Sequence, residues 1–522
     1  MKNNPTPPYF TTSCSLLLST IFVFVLVFYA YFFWYQKDFS FFRAHQIEKT
    51  RIIVKPSDNL TALLQSINNF TILSLSPGKY SGNFRLSNKE GIEILGSEET
   101  ILEAPHGIVL TLEDCLACKI AQLSIQGEDE KNPSLFLLHS QNIMMENMTL
   151  KNPAQALKIQ TQSQKIVVLN ARVLGTIKIE NSSFFTLQES EIETFAPVPC
   201  ISIEKAMKIE LHKNKIQAKE GILLKDIFSD DNSQNTITQT TISTSGTCLF
   251  MSDCRDFLMT WNDMTSQEAT AVSLLKCHGI ILGKSDFGNK VKTQKGHALW
   301  IAGSKNISIE DSWFKNQDTE KNAVYGESSS HIQFQKNQIS GLALYEEGIL
   351  KDLKGGGLTL SSTLQTRLEN NTVQESQIGI RLEKGCQGIL SHNKIGNNGG
   401  NGIEIDNSEI IVGPSNIVSQ NYTGILLKNA KGEISENTIY ENKEDGMLLE
   451  NTSVKIQKNQ ISKNSANGIR LKNNSSPTLF QNQILQNKGF GISFLQPGTV
   501  SWKAENTFDA NIKGPTDRMD TQ

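Results

Sequence analysis

The sequence lacks an excess of charge of either sign. Its 522 residues hold 50 Lys and Arg against 53 Asp and Glu, which gives a formal net charge of −3. A protein that attracts nucleic acid through its overall field needs a strong positive excess, and this chain has none. We therefore predict that nucleic acid is not a partner.

Proline is scarce, and cysteine is both scarce and scattered. Fourteen Pro in 522 residues exclude a collagen-like or proline-rich chain. Seven of the eight Cys follow residue 100, and an odd, scattered set does not indicate a disulfide framework. Cys115 and Cys118 have redox or zinc spacing without a second pair at zinc-site distance, so buried thiols are the preferred interpretation. We predict no metal and no cofactor.

Long hydrophobic runs are absent, with one exception near the amino terminus. Residues 14–35 are apolar or aromatic apart from Ser15, Ser19 and Thr20. Twenty-two residues at about 1.5 Å each cover about 33 Å, which is enough to cross a hydrocarbon core. We predict an uncleaved transmembrane anchor. A cleaved signal peptide is the alternative, and the length of the run and the missing cleavage site argue against it.

A repeat of about 22 residues is the dominant pattern of the sequence. A Gly-apolar-x-apolar unit begins at Gly379, Gly402, Gly424, Gly446, Gly468 and Gly491, at spacings of 23, 22, 22, 22 and 23. Between these units lies an Asn followed two residues later by Ile or Val, and a further Asn comes five residues after the first. These two phrases start at Asn393, Asn416, Asn437, Asn459 and Asn482 and at Asn398, Asn421, Asn442, Asn464 and Asn487. This period with strand-like alternation is typical of a β-solenoid.

The repeat unit has a direct physical interpretation. Ile425 and Leu427 lie two residues apart and point to one side of a strand, which cannot bury that side alone. Stacking on the equivalent residues of neighbouring coils at about 4.8 Å completes a parallel sheet. Gly suits a corner with positive φ or close backbone approach. Asn tolerates the left-handed conformation, and stacked Asn amides can hydrogen-bond along the ladder.

The repeat sets the domain organisation. Weaker coils extend the pattern towards the front, where residues 59–69 have helical apolar spacing and could cap the open end. We divide the chain into an N-terminal tail (1–13), the anchor (14–35), a linker (36–50), one solenoid domain (51–513) and a C-terminal tail (514–522). The solenoid should contain roughly 17 to 20 coils.

The opening coils resemble a known superfamily. Ile72 to Tyr80 reads Ile-Leu-Ser-Leu-Ser-Pro-Gly-Lys-Tyr, and it is followed by Gly91 to Gly96 (Gly-Ile-Glu-Ile-Leu-Gly) and Thr100 to Glu103 (Thr-Ile-Leu-Glu). These phrases are similar to the first coils of the pectin-lyase-like right-handed parallel β-helix superfamily, and the later coils resemble its generic repeats. The resemblance covers about residues 51–513 and implies an all-β, right-handed parallel β-helix. It is specific for fold and weak for function.

Catalytic phrases of the superfamily are missing. The epimerases resembled carry Asp-Pro-His-Asp, and the polygalacturonases resembled carry Asn-Thr-Asp, Gly-His-Gly and Arg-Ile-Lys, none of which occurs here. Asp230-Asp231 and the pairs His106-Gly107 and His278-Gly279 echo them only in part and are interpreted as turns. Met144, Met145 and Met148 are interpreted as core or surface filling, because no second Met or His cluster accompanies them.

Two further features bear on function. One charged residue per coil forms the column Glu383, Asp406, Lys428, Glu450 and Lys472, which we interpret as surface pairs that support register. Insertions at 345–357, 127–131 and 226–235 interrupt the repeat, and such loops can carry a binding face as well as being tolerated surface loops. No catalytic or binding residue can be assigned from these patterns.

The function prediction follows from fold, anchor and missing phrases. We predict a membrane-anchored β-helix protein whose ladder surface binds a glycan or protein partner without chemistry. The alternative is a carbohydrate-active enzyme of the lyase, hydrolase or uronan C5-epimerase type. We assign the domain of this single-pass membrane protein to the periplasm or the cell exterior. The positive flank Lys37, Arg43, Lys49 and Arg51 against Lys2 favours the cytoplasm instead.

Overall fold

The computed structural model describes residues 49–229, 233–342, 355–495, 501–502 and 505–517. The predicted anchor at 14–35, Asp230-Asp231 and most of the insertion at 345–357 lie outside these ranges.

The chain winds through three parallel sheets in a fixed order, which we call face 1, face 2 and face 3. Every strand pairs in parallel with the strand one turn before it and one turn after it. Faces 2 and 3 each contain 19 rungs, which matches the predicted number of coils. The prediction of an all-β parallel β-helix is therefore confirmed.

The strands of face 1 are Thr50–Val54, Thr71–Leu75, Glu93–Leu95, Lys119–Ala121, Gln141–Glu146, Gln164–Leu169, Ser183–Gln188, Met207–His212, Asn235–Thr238, Arg255–Thr260, His278–Leu282, Lys305–Glu310, Ser330–Gln335, Thr366–Glu369, Gln387–Ser391, Glu409–Val412, Lys431–Ser435, Lys455–Gln457, Thr478–Phe480 and Ser501–Trp502. Four long strands bend from face 2 onto face 3, namely Thr149–Gln160, Arg172–Glu180, Glu191–Glu204 and Lys215–Lys225.

The other strands of face 2 are Gly78–Ser81, Thr100–Ala104, Ser124–Gly127, Thr241–Thr244, Asp263–Ser266, Lys290–Thr293, Trp313–Asn316, Gln338–Ser340, Thr372–Gln374, Lys394–Gly396, Ile417–Ser419, Thr438–Tyr440, Gln460–Ser462, Gln483–Leu485 and Thr507–Asp509. Those of face 3 are Phe84–Ser87, Leu110–Glu113, Leu135–Leu138, Leu249–Ser252, Val272–Leu275, Leu299–Ala302, Val324–Glu327, Gly356–Ser361, Ile378–Glu383, Ile403–Asp406, Ile425–Lys428, Met447–Glu450, Ile469–Lys472, Phe490–Phe494 and Gly514–Thr516.

Alternation along each strand builds one continuous core. Ile425 and Leu427 are 0% and 1% exposed, and they stack in register on Met447 and Leu449 of the next turn. The residue between two inward positions points outward, so each face presents columns of outward side chains with one member per turn. These columns are where a ligand can meet the molecule.

The only helix in the described part of the chain is Leu60–Ser66. The side chain of Asn59 accepts a hydrogen bond from the Ala62 N–H at 3.0 Å and caps its first turn. Leu60 and Leu64 are buried in the core. The helix lies between the first two strands of face 1, where later turns place strands of faces 2 and 3, so it covers the first turn of the core.

The predicted single-pass membrane localisation is corrected by this architecture. Within the described ranges no helix is long and apolar enough to cross a membrane. The helix Leu60–Ser66 has 7 residues, which at about 1.5 Å each cover far less than a hydrocarbon core of about 30 Å. The segment on which the prediction rested, residues 14–35, lies outside the described residues.

Two asparagine ladders hold the corners of the later turns. Asn437 donates from Nδ2 to the Val412 carbonyl at 2.8 Å and to Asn459 Oδ1 at 3.0 Å, and its Oδ1 accepts from Asn416 Nδ2 at 2.8 Å. The ladder after face 1 contains Asn337, Asn371, Asn393, Asn416, Asn437, Asn459, Asn482 and Asn506. The ladder after face 2 contains Asn398, Asn421, Asn442, Asn464, Asn487 and Asn511. The amides therefore bond along the stack, as expected.

The left-handed conformation falls on a different residue from the one expected. Glu436, which precedes Asn437, has φ of 57°, and the ladder asparagines themselves are not among the residues with positive φ. The repeat glycines are needed for close approach. A Cβ on Gly424 would lie 2.4 Å from the Gly446 carbonyl oxygen and 2.7 Å from Ile439 Cγ2. Any side chain at this corner would push two turns apart.

The corner after face 3 carries hydroxyls and thiols instead of amides. Ser304 Oγ donates to the Ala302 carbonyl at 3.0 Å and accepts the Cys277 N–H at 3.0 Å. The cysteines within the described residues are all free and buried, which agrees with the interpretation of buried thiols. Burial raises the pKa of the Cys248 thiol to about 12, so this sulfur is not a reactive thiolate.

Candidate functional site

Most outward cations of the solenoid are paired with a carboxylate. The predicted column Glu383, Asp406, Lys428, Glu450 and Lys472 is in register across five turns. Lys472 Nζ lies 3.3 Å from Glu450 Oε1. Exposed pairs of this kind contribute about 0–1 kcal/mol each. This column is therefore a register-supporting feature, and a functional site has to be sought where the pattern changes.

The pattern changes on face 3, where two large aromatic side chains point outward from adjacent rungs. Trp300 and Tyr325 are in register, and each lies between two inward positions of its strand. Both rings are partly exposed. Because the alternation of the strand holds them outward, their rings are not needed to fill the core. They form the centre of what we call the face-3 site.

A single carboxylate holds both aromatic side chains. Trp300 Nε1 donates to Glu327 Oε1 at 3.3 Å, and the Tyr325 hydroxyl donates to Glu327 Oε2 at 3.4 Å. Glu327 lies two residues after Tyr325 on the same strand and therefore points to the same side. Both donors fix the orientation of the carboxylate towards the outer surface.

Small side chains form the floor beside Tyr325. Thr359 and Ser361 point outward on the next rung but are only 5% and 4% exposed. Burial, and then the charges of Glu327 and Glu383, raise the pKa of the Tyr325 phenol. The phenol therefore stays protonated at neutral pH and serves as a hydrogen-bond donor. Tyr325 lies between two carboxylates above a floor of hydroxyls.

His297 supports the aromatic pair from the neighbouring corner. Its ring stacks on Tyr325 with centroids 5.2 Å apart and an interplanar angle of 17°. Its Nδ1 donates to the Asn322 carbonyl at 2.9 Å, which leaves Nε2 as the acceptor of a neutral imidazole. Burial lowers the pKa of His297 and favours that neutral form.

A charged pair closes the far side of the site. Arg381 lies one rung beyond Thr359, and its Nη2 is 3.3 Å from Glu404 Oε1. Asn401 Nδ2 donates to the other oxygen of Glu404 at 2.8 Å. The Arg381 Nε is buried without a hydrogen-bond partner. One donor of this guanidinium thus remains to be satisfied, and a ligand oxygen could satisfy it.

The site can bind a polar ring, but its groups do not form a proton relay by direct contact. Across the described residues, His297 contacts Tyr325, Glu327 contacts Trp300 and Tyr325, and Arg381 contacts Glu404. The sequence argument required a carboxylate, a cation and a His converging within about 4 Å for a catalytic centre. No group of three His, Cys, Asp or Glu suited to a metal ion occurs in the described part of the chain.

The features singled out in the sequence lie elsewhere. His106-Gly107 and His278-Gly279 are turns with φ of 76° and 67° at the glycines. In the 127–131 excursion, Asp129 accepts the Gly107 and Lys131 N–H groups and orders the turn. Met145 and Met148 are buried in the core. None of these features joins the face-3 site.

Sequence reasoning missed Trp300, Tyr325 and Glu327. The available signal was an aromatic residue at the outward position between two apolar ones, as in Leu-Trp-Ile from Leu299. Most coils place a charged or small residue there. An aromatic residue at this position has no core to fill and can be sought as a site marker.

One family model matches the chain. Residues 278–433 and 356–512 match the right-handed β-helix region, so the match covers residues 278–512 and includes the face-3 site. No curated protein matches. The resemblance to the right-handed parallel β-helix superfamily is thereby confirmed.

Solved structures of the same architecture are also similar to this chain. The A-module of mannuronan C-5 epimerase AlgE6 from Azotobacter vinelandii is 12% identical, with 88% of this chain and 93% of that chain covered and a TM-score of 0.24. A GH87 α-1,3-glucanase catalytic domain bound to tetrasaccharides is 11% identical, with coverages of 91% and 70% and a TM-score of 0.26. PfbA, a surface adhesin of Streptococcus pneumoniae, is 12% identical, with coverages of 72% and 84% and a TM-score of 0.28. Similarity this low gives no information about the ligand of this chain.

Proposed function

We propose that this chain, whose residues 278–512 carry a right-handed β-helix region, is a glycan-binding protein that uses the face-3 site. The observation that carries the proposal is the aromatic pair Trp300 and Tyr325 oriented by Glu327. Sugar rings offer an apolar C–H face for an aromatic ring and hydroxyls for carboxylate and phenol groups. Binding sites combine apolar rings with a few fixed polar groups in this way.

The floor and the far side of the site support the same function. Thr359 and Ser361 are small, so a ring can approach the sheet between Tyr325 and Arg381. The unsatisfied Nε of Arg381 supplies a donor for a hydroxyl or ring oxygen of the ligand. Aromatic faces and hydrogen-bonding groups thus line one continuous stretch of face 3.

The test is a glycan array with the full-length chain, followed by titration of the best ligand. We expect Trp300→Ala to weaken binding by about 2 kcal/mol, or about thirtyfold in Kd, because the ring is the stacking surface. Glu327→Gln should weaken it less, because the amide retains one acceptor oxygen.

Phe136→Ala is the matched control for Trp300→Ala. Phe136 is also an outward, partly exposed aromatic residue of face 3, and it lies far from the site along the solenoid. Equal losses in the two variants would refute the face-3 site. Array-wide absence of binding, together with capture of a defined protein partner that Trp300→Ala abolishes, would replace the glycan with a protein.

A carbohydrate-active enzyme is the second candidate, and one observation favours it. Glu327 and Glu383 flank Ser361 on consecutive rungs, so their backbones are two rungs, or about 9.6 Å, apart. Paired carboxyl groups of inverting glycosidases are about 6.5–9.5 Å apart. Under this hypothesis one carboxyl group acts as the acid and the other as the base.

Product analysis separates the two functions. The oligosaccharide that binds best is incubated with the chain, and new reducing ends are measured. Under the binding proposal no reducing ends form. If they form and are abolished in both Glu327→Gln and Glu383→Gln, the enzyme hypothesis replaces the binding proposal.

A further inference from the structure

A second surface breaks the pairing pattern on face 2. It consists of Trp261, Phe287, Lys290, Lys292, Trp313 and Lys315, which we call the face-2 patch. The three lysines and Trp313 are the outward residues of two adjacent rungs. Trp261 and Phe287 lie at the corner that leads onto this face and are 50% and 47% exposed. The face-3 site lies on a different side of the solenoid.

The lysines of the face-2 patch have no carboxylate partner. Lys292 and Lys315 are in register on adjacent rungs, an arrangement of like charges that opposes folding. No ion pair formed within the described residues includes Lys290, Lys292 or Lys315. Asp263 is in register with Lys290 one rung earlier without forming an ion pair.

Lysines elsewhere on the same face behave differently. Lys215 Nζ lies 3.3 Å from Glu191 Oε1, and Lys79 Nζ lies 3.0 Å from Glu103 Oε2. Another like-charged neighbour pair occurs on face 3 at Lys158 and Lys178, and there Glu180 neutralises Lys178 at 2.8 Å. The face-2 patch therefore keeps positive charge that the rest of the molecule removes.

Aromatic rings adjoin this charge. Lys292 Nζ lies 5.2 Å from the ring centroid of Trp313, a contact that positions the ammonium group without neutralising it. Trp261 and Phe287 pack with centroids 5.1 Å apart and remain half exposed. Both the aromatic pair and the lysine pair step from one turn to the next, so they run side by side along the solenoid axis.

We propose that the face-2 patch is a second binding surface, independent of the face-3 site, for a linear polysaccharide that carries carboxylate or sulfate groups. The anionic groups pair with Lys290, Lys292 and Lys315, and the sugar rings pack on the exposed aromatic side chains. The polymer lies along the solenoid axis, across the strands. The net charge of −3 gives no overall field for nucleic acid, so recognition has to come from this local surface.

The test compares dextran sulfate and polygalacturonate with unmodified dextran on the full-length chain. The double variant Lys292→Gln/Lys315→Gln should weaken binding of a charged polymer by about tenfold or more, because two charge-assisted contacts are lost. Trp313→Ala should weaken it by about threefold or more, and Trp261→Ala replaces it if Trp313→Ala fails to fold. Unmodified dextran should not bind measurably at the face-2 patch.

The control is Lys151→Gln/Lys215→Gln, which removes two charges from the same face outside the patch. Its affinity should stay within about twofold of the parent. An equal loss in this control, or unchanged affinity in the patch variants, would overturn the proposal. So would inorganic polyphosphate or single-stranded DNA binding more tightly than both charged polysaccharides. The two charged polymers identify which anionic group is preferred, and Trp300→Ala should leave this binding unchanged.

Discussion

Residues 393–511 and residues 249–383 are wound on the same three faces but differ in regularity. In the first region the registered positions Ile403, Ile425, Met447, Ile469 and Ile492 are 22 or 23 residues apart. In the second, Leu249, Val272, Leu299, Val324 and Leu358 are 23 to 34 residues apart. The regular region has two asparagine ladders, whereas the ladder after face 2 is absent from the turns before Ser376.

The difference shows where the molecule can carry chemistry. In the regular region every corner is committed to hydrogen bonds between turns, and the outward columns are charged pairs or polar residues. Both the face-3 site and the face-2 patch lie in the irregular region, where turns of unequal length place Trp300, Tyr325 and Trp313 outward. The regular turns supply stability, and the irregular turns supply the unusual surfaces.

The strongest perturbation of the comparison is a charge in the regular core. Ile425 is 0% exposed, so Ile425→Asp buries a carboxylate between two turns and should cost about 5 kcal/mol. Because each turn contacts only its neighbours, we expect the loss of protection to centre on residues 393–511. Hydrogen exchange across the whole chain checks this. Uniform loss of protection as far as the helix Leu60–Ser66 would mean that the two regions unfold as one unit.

The second test compares one corner of each region. Asn437→Ala removes an amide that bonds to two neighbouring turns and leaves their partners unsatisfied, so we expect a loss of about 3 kcal/mol. Ser304→Ala removes two bonds of a hydroxyl ladder and should cost about 1 kcal/mol. Denaturant unfolding of both variants gives the two values. Similar losses would mean that the amide ladder is no stronger than the hydroxyl ladder.

The sequence predicted the regular region better than the irregular one, for a physical reason. Inward Ile425 and Leu427 and the amide stacks follow from a constant period, which makes every turn repeat the same contacts. The candidate site depends on Trp300, Tyr325 and Glu327, which three turns of unequal length bring together. A register that jumps by 34 residues cannot be extrapolated from a 22-residue period. The anchor prediction failed for the localisation because it rested on a segment outside the solenoid.

Acid should weaken the irregular region first. Burial lowers the pKa of His297 below its ordinary value of 6.5, so the unfolded chain binds a proton at a higher pH than the folded chain. Stability is therefore lost as pH falls below 6.5 towards the folded pKa. Melting temperature against pH should show a shallower acid slope in His297→Gln than in the parent. His106→Gln, at an exposed histidine, is the control and should keep the parental slope.

The smallest expected effect distinguishes the charged columns of the two regions. Lys472→Gln removes the pair with Glu450 and should cost about 0.5 kcal/mol or less. Lys292→Gln relieves like-charge repulsion with Lys315 and should cost nothing or stabilise by up to about 0.5 kcal/mol. Denaturant titrations at low and high salt measure both. A larger loss in Lys292→Gln would assign that lysine to the fold and would weaken the case for a ligand.

The close packing at Gly424 makes whole turns exchangeable. If residues 425–446 were deleted, Gly424 would be followed by Met447, and Asn421 would meet Asn464 in place of Asn442. Each contact would be remade between residues of the same type, so the shortened chain should close again without a gap. The solenoid would become shorter by one rung, about 4.8 Å, with both candidate surfaces untouched. The regular region is in this sense an adjustable spacer, whose length can be changed in units of one turn without redesigning any surface.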